Sequence, residues 1–173
     1  VIYKIRSVVD GWGVYHAALG NTQALLLEST VAAITSSTYW NSTSPTSAVL
    51  SLGTWSRVNK NTATFIAYCF SGVEGYSKFG SYTGNGSADG PFVYTGFRPA
   101  FVMVKRTNSG GEWVMWDNKR SGYNVDNDFL YANTTAAEFN GSTYVRLDLT
   151  SNGFKMRDNS ADTNGSGATY IYM

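Results

Sequence analysis

The chain is 173 residues long with a formal net charge of +1, 14% charged and 15% aromatic residues, 18 glycines and a single cysteine. With no basic cluster beyond Lys105-Arg106 and Lys119-Arg120, nucleic-acid binding has little electrostatic support, and lone Cys69 closes no internal disulfide. No run approaches the roughly 18 apolar residues of a membrane-spanning helix, so no membrane insertion is expected, and abundant Gly, Ser, Thr and Asn with many aromatics and few charges is the profile of all-β extracellular modules.

In chain order, the first strand is expected over Val1 to Arg6, followed by the turn Asp10-Gly11, a strand from Trp12 to Ala17 and a third from Ala24 to Leu27. Ser29 to Ile34 reads as a single helical turn, with Ser29-Thr30 as its cap before Ala32-Ala33. A polar loop, residues 35–47, leads to a strand from Ala48 to Leu52 and another from Thr64 to Phe70. Thr83-Gly84-Asn85-Gly86 and Asp89-Gly90-Pro91 are turn-forming runs, because Gly and Asn accept positive φ. Phe101-Val102-Met103-Val104 then reads as a buried strand ended by Lys105 and Arg106, and Trp113 to Asp117 as its hairpin partner. Val145 to Leu149, Gly153 to Arg157 and Thr169 to Met173 complete the series.

The chain states this pattern twice. Lys4, Trp12 and Tyr15 recur as Lys105, Trp113 and Trp116 at an offset of 101; Thr30, Ala32 and Ala33 recur as Thr134, Ala136 and Ala137 at 104; Asn59, Phe65 and Ile66 recur as Asn164, Tyr170 and Ile171 at 105. Four extra residues in the polar segment 118–127 would produce the drift, since surface loops tolerate changes of length. The expected organisation is therefore all-β, two tandem related β-sandwich (jelly-roll-like) units, residues 1–72 and 73–173, the first lacking its lead-in and the second cut at its last strand. A chain that opens and stops inside strands is expected to be a segment of a longer polypeptide.

Tyr68-Cys69-Phe70, the run from Glu74 to Gly86, Gly96-Phe97-Arg98-Pro99-Ala100-Phe101 and Tyr170-Ile171-Tyr172-Met173 resemble an uncharacterised tandem repeat domain of virion proteins from marine tailed bacteriophages, over essentially the whole chain. The resemblance implies lectin-like jelly-roll modules in a structural or fibre protein at the surface of an extracellular particle, with no active site to carry over. It makes other virion proteins, copies of the same chain (a trimer among the arrangements) and host-surface glycans the expected partners. The chain departs from an even repeat at Gly13, which stands where the second copy has Val114. A carbohydrate-binding module of a secreted bacterial hydrolase is the rival reading.

Catalytic chemistry finds no support. The one histidine, His16, is matched by Asp117 in the second copy, Cys69 lies in a strand pattern, and no nucleophile-elbow sequence occurs. Asp126 and Asp128 are the closest carboxylate pair but share one loop, which does not flank a cleft as glycoside hydrolysis requires. Ser160, Asp162, Asn164 and Gly165 echo a calcium loop whose twelfth position falls on Ile171 where a Glu is needed, and Asn124, Asp126, Asn127 and Asp128 offer oxygens without convergent ligands from elsewhere. No cofactor and no metal is expected. For ligand binding, aromatics outside strand periodicity are the candidates: Tyr39 and Trp40 in a polar loop, with Trp55 and Tyr123, could stack on a sugar face. Against this, Trp40 could fold back as the loop's anchor to the core. Trp12, Trp113 and Trp116 lie on strand patterns and read as core.

Overall fold

In β1 (Ile2–Ile5), Tyr3 and Ile5 alternate with Ile2 and Lys4, and the period of two puts Tyr3 and Ile5 on one buried face. The structure is a computed structural model that describes residues 1–173. The chain divides into two units, Val1–Phe70 and Ser71–Met173, with the division two residues ahead of the boundary drawn from the sequence.

In the first unit β2 (Trp12–Val14), β3 (Gln23–Leu26), β4 (Ile34–Thr35) and β5 (Phe65–Tyr68) join β1 in one antiparallel sheet of order β4-β3-β2-β1-β5. A 3-10 turn spans Ala17–Leu19 and one helical turn spans Ser56–Asn59. Tyr3, Ala24, Tyr39, Trp40 and Val58 form the buried cluster beneath the sheet.

The second unit places β6 (Gly80–Thr83), β8 (Phe101–Arg106), β9 (Trp113–Asp117), β10 (Leu130–Tyr131) and β13 (Thr169–Tyr172) in a sheet of order β10-β9-β8-β13-β6. Against it lies a three-stranded sheet, β11 (Leu147–Thr150), β12 (Gly153–Met156) and β7 (Phe92–Tyr94), in the order β11-β12-β7. Val104, Trp116, Tyr170 and Tyr172 from one sheet meet Val93, Leu147, Leu149, Phe154 and Met156 from the other, so this unit is a β-sandwich with a single core. Each large side chain so buried contributes about 1.5–3 kcal/mol.

The two units repeat each other rung by rung. Ile2↔Val14, Tyr3↔Gly13 and Lys4↔Trp12 reappear as Met103↔Met115, Val104↔Val114 and Lys105↔Trp113. Lys4↔Ile66 and Ile5↔Phe65 reappear as Lys105↔Ile171 and Arg106↔Tyr170, and Val14↔Leu25 as Met115↔Leu130. Ala24↔Ile34 in the first unit corresponds to the bridge Phe129↔Phe139 in the second. The offset is thus 101 through β2 and β9 and 105 from β3 onward, so the added length lies between β9 and Phe129.

No segment is offset by 104, and this corrects the match of Thr30 to Thr134. The Ser29 hydroxyl accepts the Val31 N–H at 3.2 Å and the Thr134 hydroxyl accepts the Ala136 N–H at 3.2 Å, so Ser29 and Thr134 are the equivalent pair. The same bonds overturn the helical turn expected over Ser29 to Ile34: each spans two residues, the geometry of a hydroxyl-closed turn, and the chain then extends so that Ile34 pairs with Ala24. The expected strand from Ala48 to Leu52 is also absent. Its counterpart β12 is held between β11 and β7, and no strand among residues 1–70 flanks residues 48–52 in that way.

Gly13 is explained by its rung. Directly opposite it stands Tyr3, whereas Val114 faces Val104. One unit fills the rung with a large and an absent side chain, the other with two of middle size, and the volume is traded across the ladder.

Candidate functional site

The polar loop at residues 35–47 does not offer its aromatics to solvent. Tyr39 is 1% and Trp40 0% exposed, and the Trp40 indole N–H donates to the Gln23 carbonyl at 2.9 Å. Tyr15 meets the Trp40 ring edge-on at 5.6 Å between centroids. A hydrogen-bonded indole in an apolar setting is an anchor for its loop, so the assignment of Tyr39 and Trp40 as ligand-stacking residues is corrected. Trp55 is half-buried, packed edge-on against Tyr39 at 3.9 Å, with the Arg57 guanidinium 5.3 Å over its ring. Tyr39, Trp40 and Trp55 share one cluster of the first unit, and Tyr123, 86% exposed, belongs to the second.

His16 is buried and does not face solvent. Its Nδ1 accepts the Ala18 N–H at 3.2 Å and caps the 3-10 turn. Asp117, at the matched position, accepts the Lys119 N–H at 2.9 Å with the same two-residue span. The two side chains therefore do one job, closing the turn that leaves the second strand of each unit.

The oxygen cluster of the loop at 121–128 is likewise committed to the chain itself. Asn124 donates to the Leu149 carbonyl at 3.1 Å and accepts the Leu149 N–H at 3.0 Å, clamping the loop onto β11. Asp126 accepts from the Ser121 hydroxyl at 2.9 Å, and Asp128 accepts the Gly141 N–H at 2.7 Å. No group of three or more His, Cys, Asp or Glu side chains stands together to hold a metal ion.

Burial, opposed by the Ser121 hydroxyl and a backbone N–H, pushes the Asp126 carboxyl above its ordinary value. Burial also raises Asp158, against hydrogen bonds from the Arg146 and Ser160 N–H groups and the Thr163 hydroxyl. Lys105 is fully buried, and desolvation lowers its ammonium to about 8 although Asp162 and Glu112 oppose the shift. Hydroxyls and peptide groups of the chain hold each of the three in place: Ser121 at Asp126, Thr163 with the Arg146 and Ser160 N–H groups at Asp158, and the Gly111 carbonyl at Lys105. The burial of Lys105 was invisible in the sequence, where a lysine at a strand end reads as solvated.

The second unit carries a groove of about 310 Å³ at the end of the sandwich. Tyr76, Lys78, Phe97, Phe101, Tyr172 and Met173 are among its lining residues. The turn before it is closed by the Val73↔Ser77 bridge and by the Ser77 hydroxyl, which donates to the Ser71 carbonyl at 2.8 Å. Gly75 takes a φ of 73° there, a conformation that favours glycine, and Tyr76 is left 81% exposed. Phe101 is 42% exposed, and the Lys78 ammonium lies 5.4 Å over the Tyr94 ring. The lining supplies aromatic faces and one ammonium but no carboxylate, so it suits the apolar face of a ring-shaped ligand and lacks an acid–base pair. Sequence reading passed over Tyr76, whose signal was an aromatic following a glycine within a short turn.

Comparison with curated proteins and with solved structures finds no match. Residues 1–173, both units together, match the family model described as a domain of unknown function, DUF7483. The chain belongs to that family.

Proposed function

We propose that this chain is a non-catalytic structural module of a bacteriophage virion protein, a fibre, decoration or host-contact segment built by duplicating one β unit. The phage setting rests on the resemblance of the Glu74 to Gly86 run and its companions. The observation that carries the structural role is what the duplication kept. Ladder registers, the bond from the strand lysine to the backbone carbonyl six residues on (Lys4 to Asp10, Lys105 to Gly111) and the closing of the turn after the second strand recur, whereas other polar groups differ: Asp117 stands for His16, and Asp162 stands at the position 105 residues beyond Arg57. A scaffold requires only the ladders, and the ladders are what recur.

The groove beside Tyr76 favours an accessory reading, weak contact with glycans of a host surface, which repeated units would multiply through avidity. Two measurements test the proposal. Antibody labelling of the protein on intact particles should find it at ordered positions. A glycan array with the wild-type chain and Tyr76→Ala should show weak binding that the substitution abolishes. Robust glycan binding by a protein absent from particles would instead support a carbohydrate-binding module of a secreted hydrolase.

A further inference from the structure

The dipeptide Asn-Gly occurs four times, always in the second unit: Asn85-Gly86, Asn140-Gly141, Asn152-Gly153 and Asn164-Gly165. An asparagine side-chain carbon lies within five-membered-ring reach of the next residue's main-chain nitrogen, and glycine, lacking a Cβ, lets that nitrogen turn toward it. The fold restrains three of the four. Asn164 is 0% exposed, its amide donates to the Ser87 and Asp158 carbonyls at 2.8 and 2.6 Å, and the Gly165 N–H donates to the Tyr170 hydroxyl at 2.7 Å. The Asn85 amide donates to the Asp89 carbonyl at 2.9 Å, its oxygen accepts the Ser87 N–H at 3.0 Å, and the Gly86 N–H donates to the Asn164 carbonyl at 2.8 Å. Gly153 is buried in β12, laddered to β11 and to β7.

Asn140-Gly141 stands apart. Both residues are exposed and outside the strands, and no hydrogen bond of the chain holds the Asn140 side chain. The corner itself is fixed, by the Phe129↔Phe139 bridge on one side and on the other by the Ser142 N–H, which donates to the Asn127 carbonyl at 3.0 Å. Between these supports the Gly141 N–H donates to the Asp128 carboxylate at 2.7 Å. A carboxylate can accept that proton outright, as the carbonyl at Gly86 and the phenol at Gly165 cannot. The first unit lacks the arrangement, since Gln23 and Thr35 stand 105 residues before Asp128 and Asn140, and the Gln23 amide donates to the Thr35 hydroxyl at 3.2 Å.

We propose that Asn140-Gly141 is a self-modification site, at which the Gly141 nitrogen displaces ammonia from the Asn140 side chain while the Asp128 carboxylate carries the proton. Asp128 takes the Gly141 amide proton as the nitrogen bonds to the Asn140 Cγ, then returns it to the departing Nδ2 as the Cγ–Nδ2 bond breaks, so ammonia leaves and Asp128 is again a carboxylate. Water then opens the cyclic imide. Attack at Cγ leaves an aspartyl residue at position 140, and attack at the main-chain carbonyl leaves an isoaspartyl one. Either product sets a second carboxylate beside Asp128, and the isoaspartyl form also lengthens the main chain between the Phe139 and Ser142 supports.

The test incubates the full chain at neutral pH, folded and in urea, and reads conversion at each Asn-Gly by peptide mass spectrometry with fragmentation that separates aspartyl from isoaspartyl products. In the folded protein Asn140 is expected to convert several-fold faster than Asn85, Asn152 and Asn164, and in urea the four rates should converge. Asp128→Asn keeps an oxygen to accept the Gly141 N–H but no base, so it should slow folded-state conversion at Asn140 by about tenfold or more and leave the rate in urea unchanged. Unaltered hydrogen exchange at Phe139 and Ser142 in that variant verifies the corner. Conversion at Asn140 no faster than at the other three sites overturns the proposal, as does an undiminished folded-state rate in Asp128→Asn.

Discussion

Lys4 and Lys105 stand 101 residues apart and make the same bond: each reaches six residues forward across its hairpin turn to a backbone carbonyl, Asp10 for one and Gly111, at 2.8 Å, for the other. Each also sits opposite a tryptophan, Trp12 or Trp113. The pair separates what duplication preserved, a lysine tying its turn to its strand, from what it let drift, because Lys105 is fully buried and Lys4 only half-buried.

The burial of Lys105 predicts a pH dependence that originates in the second unit. The Lys105 ammonium is lowered to about 8 from 10.5, chiefly by desolvation. Below pH 8 the lysine is charged in the folded and the unfolded chain, and the burial penalty is felt in full. Between about 8 and 10.5 the unfolded chain holds a proton that the fold has released, so stability rises with pH. Above 10 the raised tyrosines Tyr170 and Tyr172 act in the opposite sense, since the unfolded chain ionises them first. Urea unfolding followed from pH 7 to 10 is expected to show the rise, and Lys105→Met is expected to flatten it. An unchanged slope in that variant would disprove the assignment.

The buried pair Tyr39 and Trp40 gives opposite expectations for neighbouring residues. Trp40→Ala removes a fully buried ring and its bond to Gln23, at a cost of about 3–5 kcal/mol. The Tyr39 hydroxyl is buried with no hydrogen-bond partner, and burial pushes it up to about 12. Tyr39→Phe is therefore expected to leave stability unchanged or to raise it, within about 1 kcal/mol. Denaturant midpoints of the two variants measure both. A folded Trp40→Ala protein of wild-type stability would restore that side chain as a candidate for binding.

Asn59 and Asn164 predict an asymmetry between the units. Both amides donate to equivalent carbonyls, Gly53 at 3.0 Å and Asp158 at 2.6 Å. Asn164 is fully buried and also donates to Ser87 at 2.8 Å and accepts the Asn85 N–H at 2.9 Å, which ties the turn after β6 to the turn before β13. Truncation to alanine leaves the buried Asp158 carbonyl unpaired and releases the turn at Asn85 and Ser87, so Asn164→Ala should cost about 3 kcal/mol against about 1 kcal/mol for Asn59→Ala. Equal losses in thermal or urea unfolding would count against the extra bonds.

These contrasts show what a linear sequence can disclose. The strand order was legible because Lys4, Trp12 and Lys105, Trp113 keep their spacing, and a hairpin preserves spacing where a loop does not. The all-β sandwich fold followed from short β-rich runs between glycine turns. The fate of Trp40 was not legible, since a tryptophan among Thr, Asn and Ser offers the same local signal whether its indole meets a sugar or the Gln23 carbonyl. Ser29 and Thr134 were misread for a related reason: a hydroxyl two residues ahead of an N–H closes a turn or opens a helix, and the pairing of Ile34 with Ala24 decides between them. The groove beside Tyr76 depends on residues from four separate stretches of the second unit, which no local pattern unites.

The last asymmetry concerns Gly153 and the alanine that replaces it in the first unit. In β12 the Gly153 backbone pairs with Tyr94 of β7, and a Cβ there would stand 2.1 Å from the Val93 carbonyl oxygen and 2.9 Å from the Phe92 ring. The first contact is with backbone, so it cannot be relieved by a rotamer change, and Gly153→Ala is expected to push β7 from the sheet at a cost of about 3 kcal/mol. Ala48 has no such neighbour strand, and Ala48→Gly should cost about 1 kcal/mol or less, the entropy of a freer backbone. Hydrogen exchange distinguishes a local from a global effect: in Gly153→Ala the amides of Val93 and Phe154 should lose protection together, with those of Val104 and Val114 retained. Full protection of Val93 in that variant would mean that β12 adjusts without losing its partner and that glycine is not required there.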